Sequence, residues 1–213
     1  MLLGARQFFE KRGGGWKNPY VADGLVAMWD GEWNAGGGVH DAAATVWKDV
    51  SGNGYDLPLS AASVSLGENT MTINSGSVLD YGESVEIACL EFVGSIRKTS
   101  AFFIGKIINT GHAYGLAMRY KWASFNPTTS NQLSSDSLLP LASYSMSAGS
   151  IYKNSESVAV SAANYPADIG SLGIVAGDTN TLNINSIRLY NSALTAAEVA
   201  ANYSIDKARF NLP

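Results

Sequence analysis

The stretch NINSIRLYNSALTAAEVAANY, residues 183–203, decides the fold more than any other part of the chain. Its first half alternates apolar and polar residues, which is typical of a strand with one buried face. The apolar members of this strand are Leu182, Ile184, Ile187 and Leu189. Their parity changes at Asn185-Ser186, so we predict a β-bulge there that keeps all four side chains on the core face.

The second half of the stretch predicts a helix. Thr195 precedes Glu198 by three residues, which is the spacing of a capping box in which each side chain bonds the other residue's backbone N–H. The following residues, up to Tyr203, are good helix formers. We expect the helix to end near Tyr203 and residues 206–213 to return along the body of the protein.

The rest of the chain is a series of short strands separated by turn residues. Alternating or continuous apolar runs lie at 25–30, 46–50, 71–74, 85–89, 100–104, 116–120, 150–160 and 172–176. Many short strands and one late helix predict an all-β protein, a two-sheet antiparallel sandwich with Greek-key or jelly-roll topology. Strands do not alternate with helices, which argues against a Rossmann fold.

Composition bounds the classes of partner. The chain has 213 residues, of which 46% are hydrophobic and 15% charged, so one large domain with a sizeable core is expected rather than disorder. The net charge of −4 and the pI of about 5.1 argue against nucleic acid and anionic membranes. No apolar run approaches the roughly 20 residues of a membrane span, so no membrane insertion is expected.

The first 18 residues differ from the rest. They contain four basic residues and one acidic residue, and they include a run of three glycines at 13–15. We predict an N-terminal arm over 1–18 and a single domain over 19–213, the arm being either a poorly ordered terminus or a segment that docks on a second copy to form a homo-oligomer. The start lacks the apolar region and cleavage site of a signal peptide.

Two stretches carry a family resemblance. GLVAMWDG (24–31) with WKDVSGNGYDL (47–57) resembles the opening of concanavalin A-like, or laminin G-like, jelly-roll domains, and residues 183–203 resemble their closing strand and helix. The resemblance spans about 24–205, and the N-terminal arm looks like those of prophage and gut-bacterial surface proteins. It implies a location outside the cell, at a cell surface or in a virion.

The turn at 49–56 has two interpretations. Asp49 and Ser51 can accept backbone N–H bonds while Gly52 and Gly54 supply positive φ, which predicts a structural turn. The alternative is a Ca²⁺ loop with oxygen ligands from Asp49, Asn53 and Asp56, although the spacing is not that of an EF-hand. No other cofactor is expected.

Catalytic patterns are missing from the sequence. Glucan-cleaving enzymes of this fold use a Glu-x-Asp-x-x-Glu strand motif, and retaining hydrolysis needs two carboxylates about 5–5.5 Å apart. No Glu reproduces that motif, so Glu83, Glu86 and Glu91 are interpreted as incidental acids.

Cys89, the one cysteine, fits a small core residue better than a reactive thiolate. His40 and His112 with Asp41 give only a weak zinc pattern.

The loop DGEWNAGGGVHD, residues 30–41, is the main candidate for binding. A sugar site needs an aromatic face and a few planar hydrogen-bonding groups. The candidate ligand-binding residues are Trp33, Asn34, His40 and Asp41, together with Asn53 and Tyr55 of the next loop. The alternative is that Trp33 covers the edge of the core. A second candidate is the stretch 122–131.

The sequence and the resemblance together predict a noncatalytic binding or adhesion module, with a glycan or cell-surface polysaccharide as its partner. One alternative is a structural component of a phage particle, suggested by the basic arm. Another is a glycoside hydrolase or lyase of the concanavalin A-like fold. Because a shared fold does not fix function, the binding hypothesis depends on the loops rather than on the sandwich.

Overall fold

The computed structural model describes residues 16–59, 64–74, 78–79, 85–97, 102–109, 112–119, 121–122, 138–147, 150–158, 167–173 and 181–213. These residues form sixteen strands and one helix, in the order β1 (Leu25–Asp30), β2 (Val46–Trp47), β3 (Leu57–Pro58), β4 (Val64–Leu66), β5 (Met71–Asn74), β6 (Val78–Leu79), β7 (Val85–Ile87), β8 (Cys89–Arg97), β9 (Phe102–Asn109), β10 (His112–Arg119), β11 (Lys121–Trp122), β12 (Leu138–Ser147), β13 (Ser150–Lys153), β14 (Glu156–Val158), β15 (Ala167–Gly173), β16 (Thr181–Tyr190) and α1 (Ala196–Phe210).

The strands form two large antiparallel sheets. The first has the order β14-β13-β12-β8-β16-β5-β4, with β1 also paired to β16, and the second has the order β11-β10-β9-β15-β6, with β7 also paired to β15. The strands β2 and β3 form a separate small sheet. The prediction of an all-β antiparallel sandwich with one C-terminal helix is therefore confirmed.

The predicted β-bulge in β16 is present. The register of β16 against β8 shifts between Ile184 and Ser186, and Ile184, Ile187 and Leu189 are all buried. The side chain of Leu182, the fourth residue of the prediction, lies outside the described part of the chain. The bulge also marks a change of partner, because β5 pairs with residues 181–184 and β1 pairs with residues 186–190 on the same side of β16. The strand β16 thus holds both β5 and β1 in the first sheet.

The predicted strand through residues 85–89 is two strands in different sheets. Val85–Ile87 pairs with β15, whereas Cys89 begins β8 in the first sheet. The chain crosses between sheets at Ala88, so the alternation of apolar residues there spans two strands rather than one. Cys89 itself is fully buried, which confirms its predicted place in the core.

The helix begins as predicted and ends later. The Thr195 side chain accepts from the Glu198 N–H and the Glu198 side chain accepts from the Thr195 N–H, which confirms the capping box. The expectation that residues 206–213 leave the helix is wrong, because α1 continues to Phe210 and ends at Asn211 in the left-handed conformation, with φ 51°. Burial of Phe210 against Val93 supports the additional turns.

A buried network of charges lies between the first sheet and α1. Arg188 of β16 donates to Glu91 of β8 at 2.8 Å and makes two bonds, of 2.9 and 2.7 Å, to Asp206 of α1. All three side chains are at most 1% exposed. The interpretation of Glu91 as an incidental acid is therefore wrong. Glu91 provides a negative charge to a buried arginine that has no access to water.

Neighbouring polar groups complete this network. Asn202 donates to Glu91, Ser143 donates to Asp206, and the Tyr20 hydroxyl also donates to Asp206. Burial alone would lower the pKa of Arg188, but the charges of Asp206 and Glu91 hold that pKa well above its ordinary value. Arg188 is thus charged and fastens the helix to the sheet.

Two sequence predictions concern the N-terminal arm and insertion into a membrane. Of the predicted arm over 1–18, residues 1–15 lie outside the described residues, and the boundary at 18/19 stays a prediction. Among the residues that the structure does describe, no helix has the length and apolar character needed to span a membrane.

Candidate functional site

The site begins where β1 ends. Asp30, fully buried, accepts at one carboxylate oxygen from the backbone N–H groups of Glu32 and Trp33, at 3.0 and 3.3 Å. The carboxylate therefore turns the chain sharply out of the strand. Arg209 of α1 binds both oxygens of Asp30, at 2.8 and 2.9 Å, and also binds Glu32 at 2.9 Å. The helix thus holds the start of the loop.

Trp33 lies inside this arrangement rather than on the surface. Trp33 is only 4% exposed, and it packs in a cluster with Tyr20, Met28 and Val50. The Arg209 guanidinium lies over the Trp33 ring, and the Trp16 ring meets it edge-on with centroids 5.3 Å apart. Contact between Trp33 and a ligand stays a prediction, and in this conformation the ring is covered by the protein.

Asn34 closes the loop and joins it to the next one. Its side-chain amide donates to the Asp41 carbonyl at 2.7 Å and its side-chain oxygen accepts from the Asp41 N–H at 2.8 Å. The Asn34 carbonyl accepts from the Lys48 N–H at 2.9 Å. A fully buried asparagine thereby satisfies three backbone groups, so its predicted role in binding a ligand stays a prediction.

The exposed tip of this loop carries the remaining candidates. Val39 and Gly36 pair in a tight turn, and both His40 and Asp41 are exposed beside it. The His40 ring nitrogen Nδ1 lies 3.3 Å from the Gly31 carbonyl, which orients the ring. The side chain of Val39 is 53% exposed.

The second loop is organised by two carboxylates. Asp49 accepts from the N–H groups of Met28, Ser51 and Tyr55 and from the Ser51 hydroxyl, at 2.8 to 3.1 Å. Asp56 accepts from the Asp49 N–H and forms an ion pair with Lys48. These bonds make 49–56 the structural turn that one sequence interpretation expected.

The Ca²⁺ alternative for this turn stays a prediction. The oxygens of Asp49 and Asp56 already accept hydrogen bonds from the chain, so the turn as it stands does not fit an ion, which would have to displace those donors. Within the described part of the chain, no group of three His, Cys, Asp or Glu residues is arranged to hold a metal ion.

Asn53 and Tyr55 complete the second loop. The Asn53 side chain is exposed and donates to the carbonyls of Leu25 and Val26, at 3.2 and 2.7 Å. Tyr55 is partly buried, and its carbonyl accepts from the indole of Trp29 at 2.7 Å. Both residues are thus held against β1, Asn53 by its side chain and Tyr55 by its carbonyl.

The two loops, residues 31–41 and 48–56, are called the rim from here on. The link between Asn34 and Lys48 joins them, and the indole N–H of the buried Trp47 donates to the Asp30 carbonyl at 2.9 Å beneath them. These bonds join the two loops near their first residues. Whether the candidate residues bind a ligand stays a prediction.

Sequence reasoning missed the residue that supports the rim from behind. Arg209 is 5% exposed at its side chain and lies far along the chain from Asp30. Burial alone would lower the pKa of Arg209, but the charge of Asp30 raises that pKa above its ordinary value. A basic residue in the last turn of a helix is ordinarily explained by the helix dipole, so nothing local distinguished it.

The second sequence candidate, 122–131, lies almost entirely outside the described residues. Trp122 belongs to the two-residue strand β11, which pairs with β10, and residues 123–137 are not described. The prediction of a binding loop there is neither supported nor opposed.

Comparisons with known proteins give similarity of fold. No protein-family model matches the chain, and no curated protein matches its sequence. A sialidase of Trypanosoma rangeli in complex with sialic acid is similar in structure, with a TM-score of 0.58 at 16% identity, over 87% of this chain and 33% of that one.

Two toxin structures are also similar. The binding domain of Paraclostridial Mosquitocidal Protein 1 has a TM-score of 0.51 at 14% identity, over 85% of this chain and 52% of that one. Botulinum neurotoxin type C, whose cell entry is described as dependent upon interaction with two ganglioside molecules, has a TM-score of 0.52 at 10% identity, over 88% of this chain and 52% of that one. The chain thus spans a third to a half of these proteins and shares their β-sandwich fold.

Proposed function

We propose that this chain is a noncatalytic glycan-binding module that contacts its ligand through the rim. The observation that carries the proposal is the bond between the Lys48 N–H and the Asn34 carbonyl, which joins two ordered loops that expose His40, Asp41 and Asn53. Loops fixed on a rigid scaffold are where binding groups concentrate in proteins.

The chemistry of the exposed groups suits sugar hydroxyls. An imidazole, a carboxylate and a carboxamide offer both donors and acceptors, and the partly buried Tyr55 adds an aromatic residue. Because backbone bonds already fix the loops, ligand binding would cost little loop entropy. Trp33 takes an indirect role in this proposal, as the buried support beneath the surface.

The comparisons support a carbohydrate ligand at a coarse level. One similar structure holds sialic acid, which is a sugar, and another belongs to a toxin described by its interaction with gangliosides, which are glycolipids. A concanavalin A-like, laminin G-like identity forms part of the proposal, supported by the motifs at 24–31, 47–57 and 183–203.

The arrangement of four carboxylates that the structure describes supports the noncatalytic part of the proposal. Glu91 and Asp206 are buried between the first sheet and α1, where both bind Arg188. Asp49 and Asp56 are engaged within their turn. None of these pairs presents two open carboxylates to a surface, which hydrolysis of a glycosidic bond by paired acids would need.

Glycan-array binding tests the proposal. The array is probed with the unmodified chain, with His40→Ala and Asp41→Asn, and with Glu156→Gln as a control, since Glu156 is exposed in β14 and lies outside the rim. We expect binding to a defined set of glycans that both rim variants lose and the control keeps.

Three results would contradict the proposal. Absence of binding to every glycan, with and without added Ca²⁺, would remove the function. Binding that survives both rim substitutions would move the site away from the rim. Release of a product from any bound polysaccharide would instead show that the module is catalytic.

A further inference from the structure

Asn53 and Gly54 form the one Asn-Gly pair in the sequence, and both residues are exposed. Gly54 has φ +88°, and no atom lies within 4 Å of the position where a Cβ would be. Within the described residues, no hydrogen bond from the Gly54 N–H is found, whereas the neighbouring N–H groups of Asn53 and Tyr55 are bonded to Ser51 and Asp49. The backbone nitrogen that follows Asn53 is therefore unhindered.

We propose that Asn53 is a site of spontaneous deamidation, in which the side-chain amide is converted to a carboxylate without an enzyme. The Gly54 nitrogen forms a bond to Cγ of Asn53 and loses its proton, while the Cγ–Nδ2 bond breaks and ammonia leaves. The product is a five-membered imide. Water then opens the imide at one of its two carbonyls, giving aspartate or isoaspartate, so the net change is one water consumed and one ammonia released, with no redox step.

The structure gives this conversion a defined consequence. The Nδ2 group that is lost is the donor that binds the Leu25 and Val26 carbonyls and holds the turn to β1. Its replacement by a carboxylate oxygen would set an anion against two carbonyl oxygens, with no donor between them. The new charge would also lie in a turn that already contains Asp49 and Asp56. Conversion therefore removes these two bonds between the turn and β1 and cannot be reversed by refolding.

The neighbouring bond from the Ser51 hydroxyl to the Val26 carbonyl, at 3.2 Å, remains after conversion. The Asp49 carboxylate still accepts from Ser51 and Tyr55. We therefore expect local loosening of residues 51–55 rather than unfolding of the domain. This inference stands on the turn itself and does not depend on the proposed function.

The test is to age the folded chain at mildly alkaline pH and to follow each Asn peptide by mass spectrometry, with isoaspartate identified by its fragmentation. Asn191 is the internal reference, because it is also exposed but is followed by Ser192. We expect Asn53 to convert several-fold faster than Asn191. Equal conversion of the two residues, or none at Asn53, would overturn the proposal.

Two variants separate the reaction from its consequence. Asn53→Gln cannot form the five-membered imide and should leave position 53 unchanged on ageing. Asn53→Asp carries the product carboxylate from the start, and we expect faster amide hydrogen exchange at residues 51–55 than in the unaged parent, as in the aged parent. Exchange that is unchanged in both Asn53→Asp and the aged protein would overturn the claim that the amide fastens the turn.

Discussion

The guanidinium carbon of Arg209 lies 3.6 Å from the centroid of the Trp33 ring, so the last turn of the C-terminal helix touches the loop that begins the rim. The same guanidinium binds both oxygens of Asp30. Stacking and two-pronged ion pairing together use the planar geometry of arginine, which lysine does not have. The helix and the rim are therefore mechanically connected through one side chain.

Replacement of Arg209 should loosen the rim as well as destabilise the domain. Arg209→Ala leaves the buried Asp30 carboxylate without its cation, which costs about 3–5 kcal/mol in comparable sites. Arg209→Lys keeps the charge but loses the stacking and one of the two hydrogen bonds to Asp30. It should therefore lower the free energy of unfolding by less than Arg209→Ala does. Hydrogen exchange of residues 31–41 measures the loosening, and Lys207→Ala, at an exposed position of the same turn, is the control. Unchanged exchange in Arg209→Ala would show that the rim is ordered without the helix.

The Arg188 network gives a second prediction. Asp206→Asn removes one of the two carboxylates on a fully buried guanidinium and should lower the free energy of unfolding by about 3–5 kcal/mol. Urea denaturation measures the change, and Glu156→Gln, exposed in β14, should stay within about 0.5 kcal/mol of the parent. A loss in Asp206→Asn no larger than in this control would mean that Glu91 alone satisfies Arg188.

The helix cap predicts a dependence on pH. Hydrogen bonds from the Thr195 N–H and hydroxyl lower the pKa of Glu198 below its ordinary value of 4.5. A carboxyl with a lowered pKa in the folded state stabilises the fold above pH 4.5, and this contribution is lost as the pH falls through the folded pKa.

Thr195→Ala should therefore cost about 1 kcal/mol near neutral pH and less in acid. Thr195→Ser keeps the hydroxyl and should keep the pH dependence, which makes it the matched control. Thermal unfolding of the parent and both variants over a pH series measures the effect. A cost in Thr195→Ala that is the same at every pH would argue against the bond between the two side chains.

Steric contact at Gly37 gives a fourth prediction. A Cβ at Gly37 would lie 2.4 Å from atoms of the Trp16 ring, which real contacts do not allow, whereas a Cβ at Gly67 would have its nearest neighbour at 3.4 Å. Gly37→Ala should displace Trp16 and destabilise the protein by about 1–3 kcal/mol, as overpacking does elsewhere. Gly67→Ala is the control, and the tryptophan fluorescence of both variants reports the displacement. Equal stability and equal fluorescence would show that Trp16 does not rest on this loop.

Local patterns sufficed for much of the fold. The change of parity at Asn185-Ser186 predicted the bulge, and the spacing of Thr195 and Glu198 predicted the cap, because both depend on residues close in sequence. The end of the helix was missed, because Asp206 is retained in it by Arg188 of a distant strand. A pattern of helix formers carries no information about such a partner.

The same distinction applies to the site. The turn at 49–56 was predicted because Asp49 bonds N–H groups only two and six residues ahead. The sequence left open whether Trp33 meets a ligand or covers the edge of the core, since a tryptophan in a Gly-rich loop is compatible with both, and its burial beneath Arg209 agrees with the second. Only the packing of α1 distinguishes the two.

Ligand mapping by NMR tests the central claim most directly. The isotope-labelled chain is titrated with the glycan that gives the strongest array signal, and backbone amide shifts are followed residue by residue. The account predicts saturable shifts that concentrate at 31–41 and 48–56 and that vanish in Asp41→Asn. Shifts that concentrate elsewhere in the sandwich, with the rim unaffected, would contradict it.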